Sequence, residues 1–148
     1  MNRSPETGLR EIASLRELAE LVRSAPEALF LRWSRGPDAD TGASLDHESG
    51  LEMPGLSVTV LDAPQWWTRP PEDWIARQIH KYAQLGTEPD RFGWVLTGRE
   101  VGRGVDHEPL LAETTPVGRL GDSLVEEAGR VYESRFAAGQ DSRNGSGR

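Results

Sequence analysis

Apolar residues recur at helical spacing in three places along the chain. Leu15, Leu18, Leu21 and Val22 form one stripe, with Arg16, Glu17, Glu20 and Arg23 on the other side, which predicts an amphipathic helix. Ser14 followed by Glu17 is the capping-box pattern that starts such a helix, and Ser24-Ala25-Pro26 ends it. Trp74, Ile75, Gln78, Ile79 and Tyr82 form a second stripe. It opens at Pro71-Glu72-Asp73, because Pro and acids are favoured in a first turn, and it closes near Gly86. Leu124, Val125, Ala128, Val131 and Tyr132 form the third, capped by Asp122 or Ser123.

Between these stripes the pattern changes to strands. Ala28-Leu29-Phe30-Leu31-Arg32-Trp33 is a short apolar run after Pro26 and predicts a buried strand. Residues 55–61 alternate, so one face is wetter than the other. Residues 92–97 read as a central strand, and 109–117 as an edge strand because Pro stands near both ends. Ser34–Pro54 and Gly98–Glu108 read as long loops. Residues 1–8 are expected to be a flexible N-terminus, 9–138 a single domain, and 139–148 a disordered polar tail. The expected fold is α+β, with a small four-stranded mixed or antiparallel sheet, about three helices and the element order α-β-β-α-β-β-α.

Composition narrows the function classes. A length of 148 residues suits one domain with its own core, and 36% hydrophobic residues with five Trp exclude a wholly disordered chain. The absence of Cys excludes disulfides, thiolate metal sites and thiol nucleophiles. The opening Met1-Asn2-Arg3-Ser4-Pro5-Glu6 has no secretory apolar run, and no stretch approaches the roughly 20 apolar residues of a membrane span. A cytoplasmic location without membrane partners is expected. The net charge of −7 and the lack of a Lys/Arg run argue against nucleic acid. The remaining partner classes are a small molecule or another protein, and no cofactor is named by the sequence. Lys81 is the only Lys, the remaining basic residues being Arg. That imbalance reflects a GC-rich coding bias, so Arg abundance is not itself a sign of anion binding.

Four longer strings are more specific: Leu31-Arg32-Trp33-Ser34-Arg35-Gly36-Pro37, Ser49-Gly50-Leu51-Glu52-Met53-Pro54-Gly55-Leu56-Ser57, Trp94-Val95-Leu96-Thr97-Gly98, and Val101-Gly102-Arg103-Gly104-Val105-Asp106-His107-Glu108-Pro109-Leu110. Together they resemble a family of small uncharacterised proteins from high-GC Gram-positive bacteria, a domain of unknown function. The resemblance covers most of the chain and implies no activity.

Candidate chemistry gathers in the two long loops. If the strands ending at Trp33 and Thr97 run parallel, both loops leave one edge of the sheet, where ligands commonly sit. The loops hold Arg35, Asp38, Asp40, Asp46, His47, Glu48, Arg99, Glu100, Arg103, Asp106, His107 and Glu108. With Arg32, the ligand-binding candidates are Arg35, Arg99, Arg103, Asp106, His107 and Glu108. Arg32 lies in an apolar strand and needs a carboxylate or an anionic ligand, since an unpaired buried charge costs several kcal/mol; Glu52, Glu108 and Glu113 are the expected internal partners.

Arg32, Ser57 or Thr59, and Glu108 or Glu113 also follow the order of an ADP-ribosyltransferase, in which a cation holds the NAD pyrophosphate and a carboxylate stabilises developing positive charge. The catalytic candidates on that reading are Arg32, Ser57, Glu108 and Glu113. Ser57-x-Thr59 follows the Arg closely for that layout, and no Glu/Gln-x-Glu pair is present. Asp46-His47-Glu48 and Asp106-His107-Glu108 repeat one tripeptide with divalent-metal donors, but neither His belongs to a helical His-x-x-x-His pair, and no metal is assigned. Gly98–Gly104 resembles a phosphate loop without its Gly-Lys-Ser/Thr ending, and no Gly-x-Ser-x-Gly elbow occurs. Trp66 and Trp67, in a Pro-flanked connector, are candidate protein contacts as well as candidate packing over the second helix. These readings favour a non-catalytic ligand- or protein-binding module, with an NAD-using transferase as the alternative.

Overall fold

The computed structural model describes residues 9–40, 55–83 and 90–137. The expected flexible N-terminus, most of the 34–54 loop and the expected tail lie outside the described residues. The elements are β1 (Glu11–Ile12), α1 (Leu15–Ser24), β2 (Phe30–Ser34), β3 (Leu56–Ser57), β4 (Thr59–Val60), α2 (Pro71–Ala83), β5 (Phe92–Arg103), β6 (Pro109–Leu120) and α3 (Asp122–Tyr132), followed by a π-helical turn over Glu133–Ala137. The α+β class and the three helices agree with the sequence pattern. The sheet is larger than the expected four strands and begins one element earlier, with β1 paired parallel to β6.

α1 starts where the sequence places it. Ser14 Oγ accepts the Glu17 N–H at 3.1 Å, and Glu17 Oε1 in turn accepts the Ala13 N–H at 3.0 Å. The reciprocal bond of the capping box thus lands one residue early. Leu15 and Leu18 face the core.

The β5–β6 hairpin is the backbone of the sheet. Its strands hold 12 residues each, and the pairing shifts register at three places. Such bulges bend and twist a hairpin. The bend brings the start of β6 to β3, with Leu56 opposite Leu111, while β4 pairs with β2, with Thr59 opposite Leu31. Residues 56–60 therefore join the far end of β6 to the outer edge of β2, and Val58 N–H donates to Pro109 O at 3.1 Å between the two pairings. The sheet curls on itself.

Two cores follow from period-2 alternation across this curl. Phe30, Leu56, Val58, Trp94, Leu96 and Leu111 cluster as one. Leu29, Leu31 and Val95 point the other way, into a cluster with Leu15 and Leu18 of α1, Ile75 and Ile79 of α2, and Leu124 and Ala128 of α3. Trp74 Nε1 and Gln78 Nε2 both donate to the Val60 carbonyl, tying α2 to the end of β4.

Two sequence expectations are corrected. Gly98–Glu108 is not a loop for most of its length: β5 continues through it to Arg103, paired with β6. β6 is not an edge strand but lies between β5 and β1. Pro116 stands opposite Leu96 at one of the register shifts, where a missing N–H is tolerated.

Candidate functional site

β2 runs antiparallel to β5, with Phe30 opposite Leu96 and Ser34 opposite Phe92. The chain leaving β2 past Ser34 and the chain leaving β5 past Arg103 therefore depart in opposite directions, and the expected two loops on one edge of a parallel pair do not exist. Curling of the sheet brings some of the candidates together by another route.

Arg32 shares a strand face with Phe30 and lies opposite Trp94, at the end of the curled sheet. Its partner is Asp40 rather than Glu108 or Glu113: Nε donates to Oδ2 at 2.6 Å and Nη2 to Oδ1 at 3.2 Å. Glu52 lies outside the described residues. The pair is largely shielded, with side chains 18% and 12% exposed. Asp40 also accepts the Ser34 hydroxyl, which in turn accepts the Trp94 indole N–H at 3.0 Å. The carboxylate arrives there because the chain turns tightly from Gly36, whose carbonyl accepts the Ala39 and Asp40 N–H groups at 3.1 Å. Gly36 has φ 109°, a conformation that favours glycine, and its Cα faces the Phe92 ring.

Arg32 Nη1 donates to the Ser57 carbonyl at 2.8 Å. Ser57 Oγ donates to Glu108 Oε2 at 2.6 Å, and Asp106 N–H donates to Oε1 at 3.0 Å. Glu108 stands immediately before β6, at the end of a tight turn in which Gly104 N–H donates to its carbonyl at 2.8 Å and His107 N–H donates to Gly104 O at 3.0 Å. His107 takes φ 62° there, the left-handed residue of a short hairpin loop. Burial alone would raise the Glu108 pKa. The Ser57 hydroxyl and the backbone N–H groups outweigh it and hold the carboxyl below its ordinary value of 4.5. Glu108 is therefore ionised at neutral pH.

These groups line a cleft of about 210 Å³, together with Leu31, Trp33, Thr59, Asp106 and Tyr82. Arg32 contributes the positive charge, but Asp40 has already matched it. Glu108 and Asp106 leave the cleft with an excess of negative charge and of hydrogen-bond acceptors. Its volume is below the roughly 300–1,000 Å³ of drug-sized pockets, so it suits a sugar or a single heterocycle better than a dinucleotide.

The remaining candidates lie elsewhere. Arg35 pairs with Asp90 at 2.8 Å and Arg99 with Glu113 at 2.8 Å, both on the surface. Arg103 pairs with Glu100 at 3.0 Å and donates to the His107 carbonyl at 3.0 Å. His107 is exposed in the turn, and Glu113 is on the exposed stretch of β6. Thus Arg32, Ser57, Asp106 and Glu108 share one cleft, whereas Arg35, Arg99, Arg103, His107 and Glu113 do not line it. Among the described residues no group of three or more His, Asp or Glu could hold a metal; Asp46, His47 and Glu48 lie outside them. Trp66 is 69% exposed, with Trp67 and Trp74 edge-on at 6.2 Å from it. The sequence reading missed Asp40 as the Arg32 partner and Tyr82 as a cleft wall, since both depend on how connections fold back.

A curled α+β sheet with a small acidic cleft at its open end thus defines the chain. Residues 5–144 match the model of DUF6098, a family of unknown function, and the chain belongs to that family. No curated protein and no solved structure matches it. Among the described residues no helix is long and apolar enough to cross a membrane.

Proposed function

We propose that the chain is a ligand-binding module whose site is the Arg32–Ser57–Glu108 cleft, and that its ligand is compact and rich in hydrogen-bond donors, such as a polyol or a small organic cation. One observation carries this reading. Three polar residues from β2, β3 and the β5–β6 turn meet through direct hydrogen bonds and leave an ionised carboxylate beside Trp33 and Tyr82. The excess of acceptors favours ligand hydroxyls or a cationic nitrogen over an anion. Thermal unfolding against sugars, nucleosides and polyamines tests it. A ligand at a hundred times its Kd adds about 2.7 kcal/mol, raising the midpoint by roughly 5–10 °C in a domain this size. The shift is expected to disappear in Glu108→Gln. A flat response across the panel overturns the reading.

A second reading is an NAD-using transferase, supported by the meeting of the same Arg32, Ser57 and Glu108 in one cleft. The ionised Glu108 is suited to stabilise positive charge at a sugar carbon. Against it stand the prior engagement of Arg32 by Asp40 and the small cleft volume. Nicotinamide release from NAD, lost in Glu108→Gln, would put this reading ahead. The protein-binding form of the module would use Trp66 and Trp67, and capture of a partner lost in Trp66→Ala would support it.

A further inference from the structure

Polyols and small cations are both rich in donors, and the charges and walls of the cleft decide between them. Its charged lining groups are Arg32, Asp106 and Glu108. Asp40 already answers the Arg32 charge, through bonds of 2.6 and 3.2 Å. Asp106 and Glu108 form no ion pair with a described residue. Each Glu108 oxygen holds one donor, the Ser57 hydroxyl or the Asp106 N–H, and so keeps a lone pair open. A ligand that enters displaces water from these carboxylates. A neutral polyol returns hydrogen bonds but leaves the charges unanswered, whereas a primary ammonium returns both.

The remaining wall favours a hydrocarbon stem. Leu31, Trp33, Val58 and the Tyr82 ring are largely apolar, and a hydroxyl on every carbon would be stranded against them. At about 30 Å³ per water-sized group, the cleft of about 210 Å³ holds roughly seven heavy atoms. The chain supplies its own example of the contact: the ammonium of Lys81, the only lysine, lies 5.3 Å from the centre of the Tyr82 ring. We infer that the cleft selects compact primary alkylamines over polyols, the ammonium facing Glu108 and Asp106 and the stem lying on Val58 and Tyr82. This rests on the reading of the cleft as a ligand site and names its ligand class. Lys81 then acts as a tethered competitor, since its charge stands at the ring the ligand uses.

The test is titration calorimetry of the full chain at low ionic strength. The probes are isoamylamine, isoamyl alcohol (the same skeleton without charge), tetramethylammonium (charge without N–H donors) and erythritol. Isoamylamine is expected to bind at least about tenfold more tightly than the other three. Glu108→Gln is expected to weaken it by about tenfold or more. Lys81→Gln, at an exposed position, is expected to tighten it about two- to fivefold, a gain that a purely structural role for Lys81 would not give. Binding of erythritol ahead of the amine overturns the assignment and leaves the cleft standing as a ligand site. Equal binding of tetramethylammonium marks general attraction of cations and overturns it as well. So does amine binding that is unchanged in Glu108→Gln or in Lys81→Gln, because the ligand then lies elsewhere. No binding of any of the four probes also ends the amine assignment, while the wider sugar and nucleoside panel still decides the cleft.

Discussion

His107 and Glu113 adopt φ of 62° and 54°, a region that L side chains occupy at a cost. His107 is exposed, its own N–H and carbonyl do the bonding in the turn, and its ring acts only through its charge, a small part of what holds the Glu108 pKa down. Replacing it by glycine is expected to stabilise the fold by about 0.5–1 kcal/mol, read from urea unfolding, because relief of strain outweighs the added chain entropy. A loss of stability would mean that the ring has a structural partner. Glu108 gives a prediction with a sign. Its folded pKa lies below the ordinary 4.5, so its contribution is present above that value and is lost as pH falls through the folded pKa. The stability gap between wild type and Glu108→Gln is therefore expected to shrink below about pH 4.5, and a gap unchanged down to acid pH would show that the Ser57 bond does not depend on ionisation. At this scale the sequence was half-legible. That Arg32 needs a carboxylate follows from its place in an apolar strand; that Asp40 supplies it depends on the turn at Gly36, which no periodicity reports.

Helices were more legible than strands, for a physical reason. Each helix buries one stripe against a single layer, so its period survives in the sequence. The outer half of β5 carries Gly98, Arg99, Glu100, Gly102 and Arg103, poor strand formers that are held in register only by pairing with β6. It therefore read as a loop. β1 has only two residues, too few for any period, and is held by bonds such as Arg119 N–H to Arg10 O at 2.8 Å. Gly93 shows how closely these strands pack. A Cβ there would lie 2.6 Å from the Trp33 ring and 2.7 Å from Leu120 Cδ1. Gly93→Ala is expected to cost about 1–3 kcal/mol by overpacking and to displace the Trp33 indole. Both effects are measurable, by denaturant midpoint and by the indole N–H resonance. An alanine that leaves both unchanged would show that the β2–β5 pair can slide apart at no cost.

At the scale of the molecule, one tryptophan connects the acidic cleft with the pairing of β2 and β5. Trp33 lines the cleft that Glu108 also lines, and its ring rests on the backbone at Gly93. The apolar run 28–33 places Trp33 in a buried strand, but no periodicity shows that a cleft opens beside it. One wall of the cleft is therefore set by a strand contact apart from its polar groups. Moving that ring changes the shape of the cleft while the Ser57–Glu108 bond stays in place. Gly93→Ala is therefore expected to weaken a cleft ligand by about tenfold, read as a change in Kd by titration. An unchanged Kd in that variant would mean that the ring takes no part in the site, and that the polar groups alone hold the ligand.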